Sequence, residues 1–175
     1  MNPLHVVVMG VAGSGKSAVG GQIAQQLGLP LIEGDEFHPP HNIEKMRQGL
    51  PLDDQDRAGW LDRLGRELLR HPGGAVLACS ALKRAYRDIL RAAVPDLYFV
   101  HLELSQGQAL QRVAARGGHF YPPSLVASQF DALEDPSSEP RVLVVDAGLP
   151  VEQVALQAAN WLRQQGSVNP IMRNR

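Results

Sequence analysis

The sequence predicts an α/β fold in which a mostly parallel sheet carries helices on both faces, a three-layer α/β/α arrangement. Three observations predict it. Five short apolar runs recur along the 175 residues, helical periodicity fills the intervals between them, and a glycine-rich loop joins the first run to the first helical pattern. The runs are His5–Gly10, Leu29–Asp35, Ala75–Ser80, Leu97–Leu104 and Val142–Gly148. They are aliphatic or β-branched and do not alternate strictly, which is the pattern of strands covered on both faces.

The helical elements follow in chain order. After the first run, Val19, Ile23 and Leu27 recur at four-residue spacing, and Gly28 supplies a C-terminal stop. Beyond the second run, an acidic start at Asp53, Asp54 and Asp56 suits the positive end of a helix dipole. It precedes a stripe of Trp60, Leu61, Leu64, Leu68 and Leu69. Leu82, Tyr86 and Leu90 mark a helix after the third run, with Tyr86 read as a core residue and no more. Leu110 and Val113 mark the next, "GGHFYPPS" (Gly117–Ser124) breaks the pattern, and Leu125, Phe130 and Leu133 resume it. After the fifth run, Pro150 opens a last helix carrying Val154, Ala158, Trp161 and Leu162. Residues 1–165 are expected to form one domain, and 166–175, without periodicity, a flexible tail.

The bulk composition narrows the function classes. Apolar residues make up 44% and charged residues 20% of the chain, as in ordinary globular proteins. A net charge of −1 offers no global positive field for nucleic acid or an anionic membrane, so an anionic ligand must be held by a local basic cluster. A single cysteine excludes an intrachain disulfide and points to a reducing compartment. Without a signal-like N-terminus or a membrane-length apolar stretch, the expected location is the cytoplasm.

The strongest motif lies at the end of the first run. Gly10, Val11, Ala12, Gly13, Ser14, Gly15, Lys16 and Ser17 fit the phosphate-loop pattern G-x-x-x-x-G-K-[ST], with Ala18 continuing into the helix. Glycines let successive N–H groups turn inward to phosphate oxygens, and the helix start adds its dipole. Lys16 can reach the β- and γ-phosphates of a nucleoside triphosphate, and the Ser17 hydroxyl can ligate Mg²⁺. The loop leaves GTPase, motor, kinase and nucleotide-gated binding protein open. No N-K-x-D guanine motif is present, and the length leaves no room for a motor's extra domains.

The acceptor side must be read from other strand ends, because an open parallel sheet places its ligands at the carboxyl ends of the strands. Glu33 and Asp35 end the second run, where a carboxylate can support Mg²⁺ or take the proton of an attacking hydroxyl. His38 suits the hydroxyls of a polyhydroxyl substrate, or a plain loop role, better than zinc, which lacks a third ligand nearby. Arg57 can clamp a substrate carboxylate or pair locally with Asp53, Asp54 or Asp56. Ser80 can cap the helix after the third run, beside Lys83, a candidate for an anionic substrate; Cys79 reads as a small buried residue. Lys45 and Arg47 read as solvated helix charges. Arg112 and Arg116, four apart beside the glycine break, suit a lid closing over the triphosphate.

Taken together, "MGVAGSGKSAVG", "GDEFHPPHNIEKMRQGLPLDDQDRAGWL", "CSALKRAYRDILR", "RGGHFYPPSLVASQFDALEDP" and "VLVVD" resemble the gluconokinase family in order and spacing, from about Val6 to Gly148. The second and third stretches carry the specificity. The resemblance implies a nucleoside-monophosphate-kinase-like fold with a five-stranded parallel sheet and a lid over about residues 112–130. It also implies transfer of the ATP γ-phosphate to the 6-hydroxyl of D-gluconate, a magnesium cofactor and a homodimer. On this reading Lys16, Asp35 and Arg116 are catalytic; Asp35, His38, Arg57, Lys83 and Gln129 hold substrate; the loop with Arg112 and Arg116 holds ATP; Ser17 and Glu33 serve the metal. Glu33 stands where many relatives are expected to carry Asp. Kinases of shikimate or another sugar acid are the rival enzymes, and a binding module without transfer activity is the rival class.

Overall fold

The computed structural model describes residues 3–115 and 122–166. In chain order it comprises β1 (Leu4–Met9), α1 (Lys16–Leu27), β2 (Leu31–Glu33), a 3₁₀ turn (Gly34–Phe37), α2 (Pro40–Arg47), α3 (Asp54–Leu69), β3 (Gly74–Ala78), α4 (Arg84–Ala93), β4 (Tyr98–Glu103), α5 (Gln106–Ala115), α6 (Pro123–Ala132), β5 (Val142–Asp146) and α7 (Val151–Gly166). The five strands form one parallel sheet in the order β2-β3-β1-β4-β5. β1 is central, with Val6 opposite both Val76 and Tyr98.

The sheet is covered on both faces because its central strand is apolar from Val6 to Met9, all fully buried; the buried His5 before them is bonded to the His71 carbonyl. Strand residues point alternately to opposite sides, so Val6 and Val8 enter one core while Val7 and Met9 enter the other. The first core receives Ile23 of α1, Val126 of α6, and Val154, Ala158 and Leu162 of α7. The second receives Trp60, Leu61, Leu64 and Leu68 of α3 with Tyr86 and Leu90 of α4. Leu69 departs from its expected stripe: it is the last residue of α3 and is 58% exposed.

The strands are shorter than the apolar runs, and the difference is functional. Gly34–Asp35, Cys79–Ser80 and Ala147–Gly148 leave the sheet at its carboxyl edge, where they are free to bend around a crevice. Ser80 does not cap α4. Lys83 occupies the N-cap position without a side-chain capping bond, and Leu82, outside the helix, is fully buried. The turn between them is held instead by Arg87, whose Nη1 donates to the carbonyls of Ala81 (2.9 Å) and Leu82 (3.0 Å). Ala81 sits at φ 45°, the left-handed region that disfavours a side chain. Arg87 is itself neutralised in the interior by Glu139, with Nη2···Oε2 at 2.6 Å.

α2 appears as a separate helix, entered through Pro40 and lying across the start of α3. Lys45 is not simply solvated: its amino group pairs with Asp56 and lies 3.8 Å from Asp53. Arg47 is exposed beside Glu44. Among the described residues no helix is long and apolar enough to cross a membrane.

Candidate active site

The phosphate loop joins β1 to α1 and is braced from three sides. The Gly10 N–H donates to the Ser80 carbonyl (3.3 Å), fastening the loop to the end of the neighbouring strand. Arg112 of α5 donates to the carbonyls of Gly13 (3.2 Å) and Ala147 (2.5 Å). Gln129 of α6 accepts from the Ala12 N–H at 2.6 Å. At the other end, Gly15 caps α1 at φ 92° and no side chain caps the helix, so its first N–H groups face the loop. That is the geometry of an anion cradle. Lys16 lies along the loop, its amino group 3.0 Å from the Val11 carbonyl.

The metal side fits magnesium. The Ser17 hydroxyl donates to Glu33 Oε2 at 2.7 Å, so two hard oxygen donors meet beside the cradle. Among the described residues no group of three or more His, Cys, Asp or Glu could hold a metal unaided. That matches Mg²⁺, which retains waters and is held by one or two protein oxygens together with nucleotide phosphates.

Asp35 is delivered to the same edge by a close approach. A Cβ on Gly34 would meet the Ala78 carbonyl at 2.5 Å, so only glycine lets the chain turn out of β2 here. The turn is locked by Trp60, whose indole N–H donates to the Gly34 carbonyl at 2.8 Å. His38 stacks on the Trp60 ring, with centroids 4.0 Å apart and planes 18° apart, and its Nε2 lies 3.7 Å from Asp35 Oδ1. Burial lowers the His38 pKa to about 4; Asp35 opposes the shift and Arg57 adds to it. The ring is therefore neutral at neutral pH.

A second polar group lies across the cavity. Arg57 is 8% exposed and donates to the Tyr86 phenol at 3.3 Å. None of Asp53, Asp54 and Asp56 lies within 4 Å of it, so the local ion pairing that spacing allowed does not form among the described residues. The Tyr86 hydroxyl in turn donates to Asp54 (2.5 Å), which also receives Lys83 (2.9 Å). These partners hold the Asp54 carboxyl below its usual range and raise Lys83, while burial and then Asp54 raise Tyr86. Tyr86 is thus more than a core residue: its ring packs in the core and its hydroxyl links Arg57 to Asp54.

These groups surround one cavity of about 530 Å³. Of the expected site residues, Ala12, Gly13, Gly15, Lys16, Ser17, Asp35, His38, Arg57 and Gln129 line it. Gly10, Val11, Ser14, Ala18, Glu33, Arg112 and Lys83 do not; Glu33 and Arg112 adjoin the loop from outside, and Lys83 is turned to Asp54. Arg116 lies outside the described residues, as do residues 167–175 of the expected tail. Trp60 and Ser80 also line the cavity, although periodicity had placed one in the core and the other at a helix cap. Cys79 next to it is 1% exposed, and burial pushes its thiol up to about 12, so it is no nucleophile.

A family model for the AAA domain matches residues 6–140. A gluconokinase of Gluconobacter oxydans is 47% identical over 149 residues, covering 83% of each chain. The thermoresistant gluconokinase of Escherichia coli is 43% identical over 162 residues, covering 90% of this chain and 93% of the relative. A crystal structure of a gluconokinase from Sinorhizobium meliloti superposes with a TM-score of 0.87 at 46% identity over 94% of both chains.

Proposed function

Because the chain belongs to the gluconokinase family of ATP-dependent carbohydrate kinases, we propose that it transfers the ATP γ-phosphate to the 6-hydroxyl of D-gluconate, giving 6-phospho-D-gluconate and ADP. The observation that carries the substrate is Arg57. A buried guanidinium with no carboxylate partner among the described residues stands in the same cavity as a phosphate loop and an exposed carboxylate, Asp35. A desolvated cation is stabilised most by an anion, and an aldonate brings a carboxylate at one end and a primary hydroxyl at the other.

In this mechanism the triphosphate lies on Gly10–Ser17 and Lys16 follows the β- and γ-phosphates. The Ser17 hydroxyl would hold the magnesium, with Glu33 or Asp35 assisting, and the ion would supply positive charge to offset that of the phosphates. Arg57 fixes the gluconate carboxylate, His38 and Gln129 meet its hydroxyls, and Asp35 orients the terminal hydroxyl and takes its proton late, as a loose transition state requires. Lys83 acts through Asp54. The lid, over about residues 112–130, closes on the phosphates, with Arg116 chiefly and Arg112 beside it bringing positive charge to the transferring group. Homodimerisation and residence in the cytoplasm belong to the same proposal.

The test is ADP release by purified protein with ATP and Mg²⁺ across gluconate, other aldonates, shikimate, glycerate and nucleoside monophosphates. Stimulation by gluconate above the rest is expected. Preference for shikimate or a nucleoside monophosphate would overturn the acceptor assignment.

A further inference from the structure

Asn42 is fully buried on α2 and belongs to no part of the mechanism above. Its Nδ2 contacts two acceptors: the Asp56 backbone carbonyl at 3.1 Å and His38 Nδ1 at 3.2 Å. The carbonyl cannot donate, so the amide must present its NH₂ on that side. The second hydrogen of that NH₂ then points at His38 Nδ1, which can only accept. A neutral imidazole carries one proton, and with Nδ1 accepting, the proton sits on Nε2. Nε2 is the atom that faces Asp35. Stacking on Trp60, itself tied to the Gly34 carbonyl one residue before Asp35, fixes the plane of the ring.

We propose that Asn42 is a positioning residue for catalysis: oriented by the Asp56 carbonyl, it holds His38 as the Nε2–H tautomer, whose N–H directs the Asp35 carboxylate toward the acceptor hydroxyl. This rests on Asp35 being the group that receives the hydroxyl proton. The 3.7 Å separation closes to a hydrogen bond when acceptor fills the cavity, as catalytic hydrogen bonds commonly tighten in the substrate complex. The charged groups facing the ring are Asp35 and Arg57; burial, with Arg57 acting in the same direction, outweighs Asp35 in keeping it neutral. The α2–α3 contact, which carries Lys45 and His41 onto Asp56 as well, is what delivers Asn42 to the ring.

The experiment is ¹⁵N NMR of the full-length protein at pH 7, read with steady-state kinetics. His38 is expected to show a pyridine-type Nδ1 and a pyrrole-type Nε2. The reverse pattern, or a doubly protonated ring, overturns the proposal. In Asn42→Ala the two tautomers are expected to mix and kcat to fall about tenfold or more, with KM for ATP unchanged; mixing with wild-type kcat overturns it. A second pair avoids dependence on how well Asn42→Ala folds. His38→Gln places an amide donor near the Nε2 position and His38→Asn near the Nδ1 position, so Gln must retain the higher kcat; the opposite order overturns the proposal. Asp35→Asn separates this idea from the reading beneath it. Near-normal turnover there removes the base itself, whereas a wrong tautomer beside an inactive Asp35→Asn removes the positioning role alone.

Discussion

The guanidinium of Arg57 reaches its cavity from the first turn of α3 with a phenol for a partner and no carboxylate within ion-pair distance among the described residues. A fork of this kind binds a carboxylate through two parallel N–H groups, which lysine cannot reproduce. Arg57→Lys is therefore expected to raise KM for gluconate roughly 10- to 100-fold, from ~1.5–3 kcal/mol for a charged hydrogen bond, while KM for ATP stays constant. Steady-state kinetics with each substrate varied in turn checks it; a KM for gluconate within twofold of wild type would place the carboxylate elsewhere. Lys16→Ala should behave differently. It removes charge from the phosphates in the transition state, so kcat drops about 100-fold or more while thermal melting is unchanged. At this scale Lys16, Ser17 and Asp35 were legible from a motif and a strand end. The Tyr86 hydroxyl was not, because periodicity reports which face a Cβ occupies and not where an amphipathic side chain puts its polar tip.

α3 is the element that organises the acceptor side, and its N-terminus is unusually well fixed. Asp53 accepts from the Asp56 N–H (2.7 Å) and Asp56 accepts from the Asp53 N–H (3.0 Å), a reciprocal capping box. Asp53→Ala should cost about 1 kcal/mol, a Tm lowered by roughly 2–4 °C for a chain of this size. Because Arg57 and the Asp54–Lys83 pair hang on that turn, KM for gluconate should rise with it; calorimetry and kinetics on the same sample test both. The acidic start of α3 could be read from "PLDDQDR", but α2 could not be placed as an element of its own. Its only large apolar residues are Ile43 and Met46, Ile43 is 43% exposed, and the helix is held by polar contacts to α3. No hydrophobic pattern announces such a helix. The five strands were plain for the opposite reason: apart from His5 and His101, their buried positions are all apolar.

Over the whole molecule, two cores clasp one sheet, and acid should loosen the α3–α4 side first. His38, with its pKa lowered by burial to about 4 from an ordinary 6.5, refuses a proton that the unfolded chain accepts. Its contribution is complete above about pH 6.5 and is lost as pH falls toward 4. Glu139 acts lower. Burial pushes its carboxyl up, but bonds from Arg87 and Arg91 outweigh that and leave it below the ordinary 4.5, so its contribution is whole above about pH 4.5 and is lost progressively as pH falls from there through the lower folded value. Wild-type Tm should decline between pH 7 and 5, and His38→Phe should flatten the decline; an unchanged slope would show that another group is responsible. Glu139→Ala strands a fully buried Arg87 and should cost about 3–5 kcal/mol, a Tm lower by roughly 6–20 °C. With it goes the Arg87 hold on the Ala81 turn, and hence the alignment of Ser80 beneath the phosphate loop.

The buried thiol of Cys79 has a practical corollary. It is the chain's sole cysteine, 1% exposed beneath the catalytic edge and pushed up to about 12. An alkylating reagent can reach it only through molecules that have opened, so the rate of irreversible labelling becomes a clock for unfolding, with one chromophore per chain. Nucleotide and gluconate, by binding only the closed form, should slow that clock in proportion to their occupancy. Ligand affinity could then be measured without any phosphate being transferred. Labelling as fast as that of a free thiol, with or without ligand, would contradict the burial described for this residue.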